Sequence, residues 1–170
     1  MAERRARRVE LSELSGQRLG IDGFNCLITV EAALSGAVVL RSVDGSHRDL
    51  ASVHGTYRHV SETEPALDHI CDTLAQARAA TITWYLDSPV SNSGRLASLM
   101  RSRFAEAGLT WEVELVKNAD RSLQQARAVA ASSDGWVMDS SEGWLDLAGA
   151  TVLRFVPDAW VVDLGPGSSE

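Results

Sequence analysis

The sequence of 170 residues lacks the signals of several large protein classes. It has no run of about 18 apolar residues, so it predicts no membrane-spanning helix and no membrane partner. No apolar stretch follows its charged start, as a secretory signal peptide would require. Its two cysteines, Cys26 and Cys71, lie far apart and form neither a zinc pattern nor a disulfide framework. The expected location is therefore the reducing cytoplasm.

The motifs of common nucleotide-binding and phosphate-transfer folds are also missing. Lys117 is the only lysine and follows a valine, which excludes a Walker A loop, since that loop needs Gly-Lys-Ser or Gly-Lys-Thr. The glycines never form Gly-x-Gly-x-x-Gly, so a Rossmann dinucleotide site has no support. No Asp-x-Asp occurs, which excludes a phosphatase of the haloacid dehalogenase type and a toprim-type nuclease.

The chain also has fewer basic residues than acidic ones. The chain carries 16 basic and 23 acidic residues, a net charge of −7. This balance weighs against a protein whose main task is to coat nucleic acid. It does not exclude a nuclease, because carboxylates that bind a metal ion themselves lower the net charge.

Strands that alternate with helices predict an α/β protein with a mainly parallel central sheet. We expect a basic lead-in over residues 1–17, one domain over residues 18–164 and a flexible tail over residues 165–170. The predicted strands are residues 18–22, 81–87, 110–116, part of 128–138, 151–155 and 160–164. The predicted helices are residues 25–34, 61–79, 95–107 and a segment after Asp120. Asp44-Gly45 predicts a small β-hairpin, inserted over about residues 38–50.

Aspartates end several of the predicted strands. Asp22 ends the first strand, Asp87 ends a later one, and Asp120 follows residues 110–116 after a short gap. Either Asp134 or Asp139 ends the strand within 128–138, depending on where that strand lies. Ligands of open α/β sheets bind beyond the carboxyl ends of the strands, and carboxylate oxygens suit Mg²⁺ or Mn²⁺. The alternative is structural: each aspartate only caps the helix that follows it.

Two polar segments could bind a substrate near these aspartates. The first consists of Ser91, Asn92, Ser93 and Arg95. Its hydroxyls, backbone amides and guanidinium could hold a phosphate, or its residues could simply cap a helix. The second consists of His54, Tyr57 and Arg58. The tyrosine ring could stack on a base, or the segment could be a structural loop. The five tryptophans lie in or near apolar runs and are interpreted as core residues.

The stretch GIDGFNCLITVE, residues 20–31, resembles the first strand and helix of PIN-like nucleases, including their NYN branch. Together with HGTYR, WYLDSPVSNSGRL and AVAASSD, it resembles more closely the prokaryotic domain-of-unknown-function families 434 and 5616. This resemblance covers most of residues 15–155. It implies a PIN-like three-layer sandwich and in-line cleavage of RNA that leaves a 5′-phosphate and a 3′-hydroxyl.

The PIN-like pattern implies roles for particular residues. Asp22 matches its first acid, and Asn25 matches the residue that orients that acid. The later acids, which with Asp22 would hold Mg²⁺ or Mn²⁺, are Asp87, Asp120 and Asp134. The Ser/Thr-x-Asp pattern favours Asp134 over Asp139. The chain departs from the family pattern in the short spacing between Asp120 and Asp134.

The sequence therefore predicts a metal-dependent phosphodiesterase, most directly a ribonuclease that acts on single-stranded RNA. A PIN-like module that binds RNA, a nucleotide or a protein without cleaving anything is the alternative. The acidic charge and the lack of a basic stripe favour that alternative over a processive nuclease. The sequence leaves the oligomeric state open, and a homodimer is compatible with it.

Overall fold

The strands form two sheets in the computed structural model, which describes residues 2–50 and 56–165. His54 lies outside these residues, and so does the expected flexible tail apart from Gly165. In chain order the strands are β1 (Arg18–Asp22), β2 (Val39–Arg41), β3 (His47–Asp49), β4 (Thr81–Asp87), β5 (Glu112–Val116), β6 (Val129–Ala131), β7 (Gly143–Leu145) and β8 (Val161–Asp163).

The central sheet contains five parallel strands in the order β5-β4-β1-β6-β7. The central strand β1 pairs with β4 on one side and with β6 on the other, so that Ile21 lies opposite both Trp84 and Ala131. The predicted α/β class with a mainly parallel sheet is confirmed. Because the strands run in the same direction, their carboxyl ends lie along one edge of the sheet.

Helices flank this sheet. They are α1 (Ala2–Ala6), α2 (Gly23–Leu34), α3 (Thr63–Leu74), α4 (Ser93–Glu106), α5 (Ala119–Gln125), α6 (Gly135–Ser140) and α7 (Leu147–Phe155). A 3₁₀ turn covers Leu11–Leu14. Within residues 2–50 and 56–165, none of the helices is long and apolar enough to cross a membrane.

Side chains point alternately to the two faces of the central sheet along each strand, and a hydrophobic core forms on each face. Ile82, Trp84 and Leu86 of β4 pack into the large core, which also contains residues of α2, α3, α4 and α7. The residue between the last two, Tyr85, packs on the opposite face against Leu123 of α5. Because successive side chains of a strand point to opposite faces, the sheet has helices on both faces. This is the predicted three-layer arrangement.

The predicted hairpin near residues 38–50 is confirmed. Strands β2 and β3 pair antiparallel, and β8 joins β2 in parallel, which completes a small second sheet. The basic lead-in, by contrast, pairs with the central sheet and not with this second sheet. The Val9 N–H donates to the Trp144 carbonyl (2.8 Å), and the Trp144 N–H donates to the Arg7 carbonyl (3.1 Å). Residues near the start of the chain therefore cover the outer edge of β7, the last strand of the central sheet.

Some sequence-based assignments near the C-terminus were wrong. Residues 151–155 belong to helix α7, because Asp146 caps it and Ala148, Thr151 and Val152 recur at the spacing of one helix face. Residues 136–138 belong to helix α6, and only residues 129–131 of the 128–138 segment form a strand. The strand β7 was not predicted at all. Helix α3 ends earlier than predicted, at Leu74.

A buried contact between the hairpin and α7 requires glycine at position 149. The His47 imidazole and the Asp146 carboxylate are buried, and Nδ1 lies 2.6 Å from Oδ2. The other oxygen, Oδ1, accepts the N–H groups of His47 (3.0 Å) and Gly149 (3.2 Å). A Cβ at position 149 would overlap both His47 Nδ1 and Asp146 Oδ2.

We expect Gly149→Ala to lower the free energy of unfolding by roughly 3 kcal/mol, the upper end of the usual cost of overpacking. The added methyl has to separate His47 from Asp146. Gly94→Ala is the matched control, because a Cβ at this position in α4 meets no atom within 4 Å. That change should leave stability equal or slightly higher. Urea unfolding measures both variants, and equal midpoints would contradict the packing argument.

Candidate functional site

The strand ends bring aspartates together along the carboxyl edge of the central sheet. Asp22 is the last residue of β1, and Asp87 is the last residue of the neighbouring β4. Helix α2 begins directly after Asp22, at Gly23. Glycine is needed there, because a Cβ would lie 2.6 Å from the Leu86 side chain and 3.0 Å from the Tyr85 carbonyl oxygen. This tight connection keeps the Asp22 carboxylate at the sheet edge.

Asp22 is the most deeply buried carboxylate of this edge, at 7% exposure. One oxygen accepts the Asn25 N–H (3.3 Å), and the other accepts the Ser132 hydroxyl (2.9 Å). These bonds favour the charged form. Burial opposes it more strongly, and the charges of Asp120 and Asp87 add to that opposition. Together they raise the pKa of Asp22 from 3.8 to about 7.

Asn25 fixes the loop that follows β6. Its side-chain oxygen accepts the Ser133 N–H (2.9 Å), and its Nδ2 donates to the Ser133 hydroxyl (2.9 Å). The resemblance assigned Asn25 the task of orienting Asp22. The contact with Asp22 comes from its backbone, whereas its side chain holds the segment that carries Ser132 and Asp134. Asn25 is therefore a positioning residue in this structure.

Three further carboxylates accompany Asp22 at this edge of the sheet, and they belong to Asp87, Asp134 and Asp120. Asp87 Oδ1 accepts the Ala119 N–H at the start of α5 (2.8 Å). Asp134 Oδ1 caps α6 by accepting the N–H groups of Trp136 (2.8 Å) and Val137 (3.1 Å). In the part of the chain that the structure describes, the second oxygen of each carboxylate makes no hydrogen bond.

Asp120 is not the cap of its helix, contrary to the structural alternative. Asn118 caps α5 by accepting the Arg121 N–H (2.7 Å), which leaves the Asp120 carboxylate half-buried and without a capping bond. Burial and the charges of Asp134 and Asp87 raise the pKa of Asp120. Asp22, Asp87, Asp120 and Asp134 are thus linked by mutual repulsion, and we refer to them as the carboxylate cluster.

Oxygen donors of this kind fit a hard divalent cation such as Mg²⁺ or Mn²⁺. The present side-chain arrangement does not enclose one. Within residues 2–50 and 56–165, no three His, Cys, Asp or Glu side chains are disposed to hold a metal ion together. Capping bonds of Asp22 and Asp134 hold oxygens toward backbone N–H groups instead. The predicted role of the cluster as a metal site stays a prediction.

Asp139, the alternative to Asp134, lies outside the cluster on the exposed side of α6. Its two oxygens accept both Nε (2.8 Å) and Nη2 (2.5 Å) of Arg4. Arg4 also bonds Asp44 (2.9 Å) and the Gly135 carbonyl (3.2 Å). These bonds lower the pKa of Asp139. Arg4 thus ties α1 to α6 and to the hairpin, a role that sequence reasoning missed.

The two predicted substrate segments line one cavity. Its volume is about 520 Å³, and its walls are Tyr57, Arg58, His59, Asn92, Arg95, Leu96 and Leu99. Asn92 does not cap α4 with its side chain but donates to the Tyr57 carbonyl (2.8 Å). Ser93 is buried, and its hydroxyl donates to the Ser88 carbonyl. The segments therefore meet, although Ser93 has a structural role.

Stacking of a base on Tyr57 was one of two alternatives for this segment and stays a prediction, and the buried ring favours the structural alternative. The ring is only 4% exposed and packs against Phe24, with ring centroids 5.3 Å apart. Its hydroxyl donates to the buried Glu31 carboxylate (2.5 Å), and both this bond and burial raise the pKa of Tyr57. Tyr57 thus supports the cavity wall, while Arg58 and Arg95 are exposed beside it.

Sequence reasoning missed an exposed aromatic residue next to the cluster. Trp136 was interpreted as a core residue, as were the other tryptophans. Trp84 and Trp144 are indeed buried, whereas Trp136 is 50% exposed and Trp160 is 62% exposed. Trp136 lines an open groove with Asp120 of the cluster. No sequence signal separated Trp136 from the buried tryptophans, since Val137 and Met138 beside it are fully buried.

The fold and the site define an α/β domain with carboxylates gathered at the carboxyl edge of a parallel sheet. Residues 11–150 match a family described as a domain of unknown function (DUF5616), and the chain belongs to this family. An uncharacterized protein of Methanocaldococcus jannaschii, MJ0935, is 32% identical over 131 residues. The match covers 77% of this chain and 62% of that relative, less than two thirds of its length. No solved structure matches the chain.

The raised pKa of Asp22 leads to a test of the cost of its charge, which burial and the neighbouring carboxylates cause together. In EDTA, the folded state keeps the proton of Asp22 up to about pH 7, whereas the unfolded carboxyl loses it near pH 3.8. The folded state holds more protons in between, so the free energy of unfolding should fall as the pH rises from about 4 to 7. Asp22→Asn should reduce this fall, to which the raised pKa of Asp120 also contributes, and should be more stable than the wild type at pH 8, by at most about 4 kcal/mol.

Urea unfolding at several pH values measures this difference. Asp139→Asn is the control, because it also removes a carboxylate but one that is paired with Arg4. Since the pKa of Asp139 is lowered, this variant should be less stable than the wild type at pH 8 and should retain the fall between pH 4 and 7. An Asp22→Asn protein no more stable than the wild type at pH 8 would contradict this cost of the buried Asp22 charge.

Proposed function

We propose that this chain is a metal-dependent phosphodiesterase with a PIN-like fold, most directly a ribonuclease that acts on single-stranded RNA. The observation that carries the proposal is the carboxylate cluster, in which burial and two neighbouring charges raise the pKa of Asp22 to about 7. Like charges at a sheet edge are unfavourable unless a cation joins them. The resemblance of residues 20–31 and 128–134 to PIN-like nucleases supports the same reading.

Asp22, Asp87, Asp120 and Asp134 would hold Mg²⁺ or Mn²⁺. The oxygens of Asp87 and Asp134 that make no hydrogen bond with the described residues are available to the ion. When bound, the cation lowers the pKa of a water molecule and offsets charge on the phosphate. Asn25 contributes by holding Ser133, and Ser132 by its bond to Asp22, so that the carboxylates keep their relative positions.

The cavity between the two substrate segments would bind the phosphate backbone of RNA. Arg58 and Arg95 make no ion pair with the residues that the structure describes, so their charges are available to phosphates. The contact between Tyr57 and Phe24 connects this cavity to α2, which begins directly after Asp22. Phosphate contacts of this kind position a nucleic acid without reading its sequence.

We further propose a cytoplasmic location. Cys26 and Cys71 are both free, as a reducing compartment would keep them. A homodimer is compatible with this proposal, although the single chain carries the whole carboxylate cluster.

A second candidate is a module that binds RNA, a nucleotide or a protein without cleavage. The capping bonds of Asp22 and Asp134 favour it, because they give both carboxylates a structural role. An asparagine caps a helix about as well as an aspartate. The two candidates therefore differ in what they expect from an exchange of Asp for Asn.

The decisive experiment combines cleavage and metal binding. Wild-type protein should cleave an unstructured RNA in millimolar MnCl₂, and Mn²⁺ should raise its thermal midpoint, since an ion that binds only the folded state stabilises it. Asp22→Asn and Asp87→Asn should each abolish the thermal shift and slow cleavage by at least about 100-fold, because losing even an outer-shell partner of a metal ligand costs about 10- to 100-fold. Gel analysis of labelled RNA and thermal unfolding are the measurements.

Asp139→Asn serves as the matched control and should cleave at the wild-type rate, because Asp139 pairs with Arg4 outside the cluster. Products with a 5′-phosphate are expected. If the wild type shows neither cleavage nor a thermal shift with Mn²⁺ or Mg²⁺, the enzyme proposal is wrong and the binding module takes its place.

A further inference from the structure

An exposed indole stands beside the carboxylate cluster. Trp136 is the second residue of α6 and is 50% exposed, whereas Trp84 and Trp144 are fully buried. Its backbone N–H is held by Asp134 Oδ1 at 2.8 Å. The backbone that carries the indole is therefore held next to a carboxylate of the cluster. No hydrogen bond or ring contact with the described residues occupies its side chain.

Trp136 forms one wall of a groove of about 450 Å³, and the first turns of α5 form the other. The groove is lined by Asn118, Asp120, Arg121, Gln124 and Trp136. Ligand pockets usually measure roughly 300–1,000 Å³, so the groove has room for a small planar group. Helices α5 and α6 pack against each other through the buried Leu123 and Val137, so both walls stand on helices that are anchored in the core. Asp120 belongs to the groove and to the carboxylate cluster alike.

The polar groups of this groove have few partners of their own. Asn118 Oδ1 accepts the Arg121 N–H, but the Arg121 guanidinium makes no hydrogen bond or ion pair with residues 2–50 or 56–165. The same is true of the Gln124 side-chain amide. An aromatic face, an amide and a guanidinium together match the base, the base edge and the phosphate of one nucleotide.

We propose that this groove binds one nucleotide of single-stranded RNA, with the base stacked on Trp136 and a phosphate contacted by Arg121. The proposal rests on the proposed function, because it gives the cleaved RNA a second contact next to the carboxylate cluster. A protein partner fits the groove less well. Tryptophans that anchor protein interfaces sit in packed, water-excluding surroundings, whereas the other four lining residues here are polar.

Binding of a labelled oligonucleotide tests the proposal directly. The probe is a fluorescein-labelled oligouridylate of about ten nucleotides with phosphorothioate linkages that resist hydrolysis, in millimolar MnCl₂. Trp136→Ala should weaken binding by about 5- to 150-fold, which corresponds to the roughly 1–3 kcal/mol of stacking one base on an aromatic side chain. Trp136→Phe should retain most of the affinity, because a planar ring remains.

The matched control is Trp160→Ala, which removes an indole of similar exposure beside the second sheet. It should bind the oligouridylate as the wild type does. Arg121→Gln adds an independent readout. It should reduce the slope of log affinity against log salt by about 0.7, the value for one phosphate contact of a single strand. Thermal midpoints of all variants should stay near the wild-type value, since these side chains are exposed.

The outcomes separate this proposal from the proposed function. If Trp136→Ala binds the oligouridylate as tightly as the wild type, or if the wild type does not bind it, the groove is not an RNA site. If Trp136→Ala cleaves RNA with the KM of the wild type, the proposal that the groove binds RNA is wrong and the ribonuclease proposal remains. Loss of binding in Trp136→Ala without any cleavage by the wild type would support the groove and reject the ribonuclease.

Discussion

The burial of one carboxylate among three others is the constraint on which the site depends. Asp22 ends the central strand β1, where neighbouring strands and α2 exclude water, and parallel pairing brings Asp87 of β4 to the same edge. The segments after β5 and β6 add Asp120 and Asp134. Helix capping alone does not explain this arrangement, because a serine or an asparagine caps a helix without introducing a charge. Burial and neighbouring charges raise the pKa values of Asp22 and Asp120, so the charged forms of these two groups lower the stability of the folded chain. Under the proposed function, a bound cation would offset this cost.

The arginines bear on this point, because those that form ion pairs within the described residues pair with carboxylates outside the cluster. Arg4 bonds Asp139 and Asp44, and Arg103 bonds Glu64 and Asp68. Each of these pairs joins distant parts of the chain. Asp44 is buried, whereas the other three carboxylates are exposed or half-buried. The buried Asp22 instead receives only the Ser132 hydroxyl and a backbone N–H. Neutral donors orient the Asp22 carboxylate without placing a positive charge beside it, so that its pKa stays raised to about 7.

Much of this site could be predicted because its signals are local. Strand β4 and the start of α2 follow from apolar runs that end in an aspartate, and Asp22 and Asp87 follow from them. The wrong or missed assignments concern short elements and contacts between residues that lie far apart in the sequence. Thr151–Phe155 contains residues typical of strands, but Asp146 begins a helix there. Asp139 and Arg4 lie 135 positions apart in the sequence, and no local sequence pattern predicts that they pair. Trp136 was misplaced because a single tryptophan in a short apolar run shows no periodicity that separates core from surface.

The two cavities lie on opposite faces of the central sheet, and their placement bears on the size of the substrate. The cavity with Arg58 and Arg95 borders α4, which packs on the same face as α2. The groove of Trp136 lies between α5 and α6 on the other face. The carboxyl edge with Asp22 lies between them. A mononucleotide could use only one of these surfaces at a time. An extended strand could contact both if it crossed the sheet edge, and this path would carry one of its phosphates over the carboxylates. Under the proposed function, the geometry therefore favours a polymer over a free nucleotide.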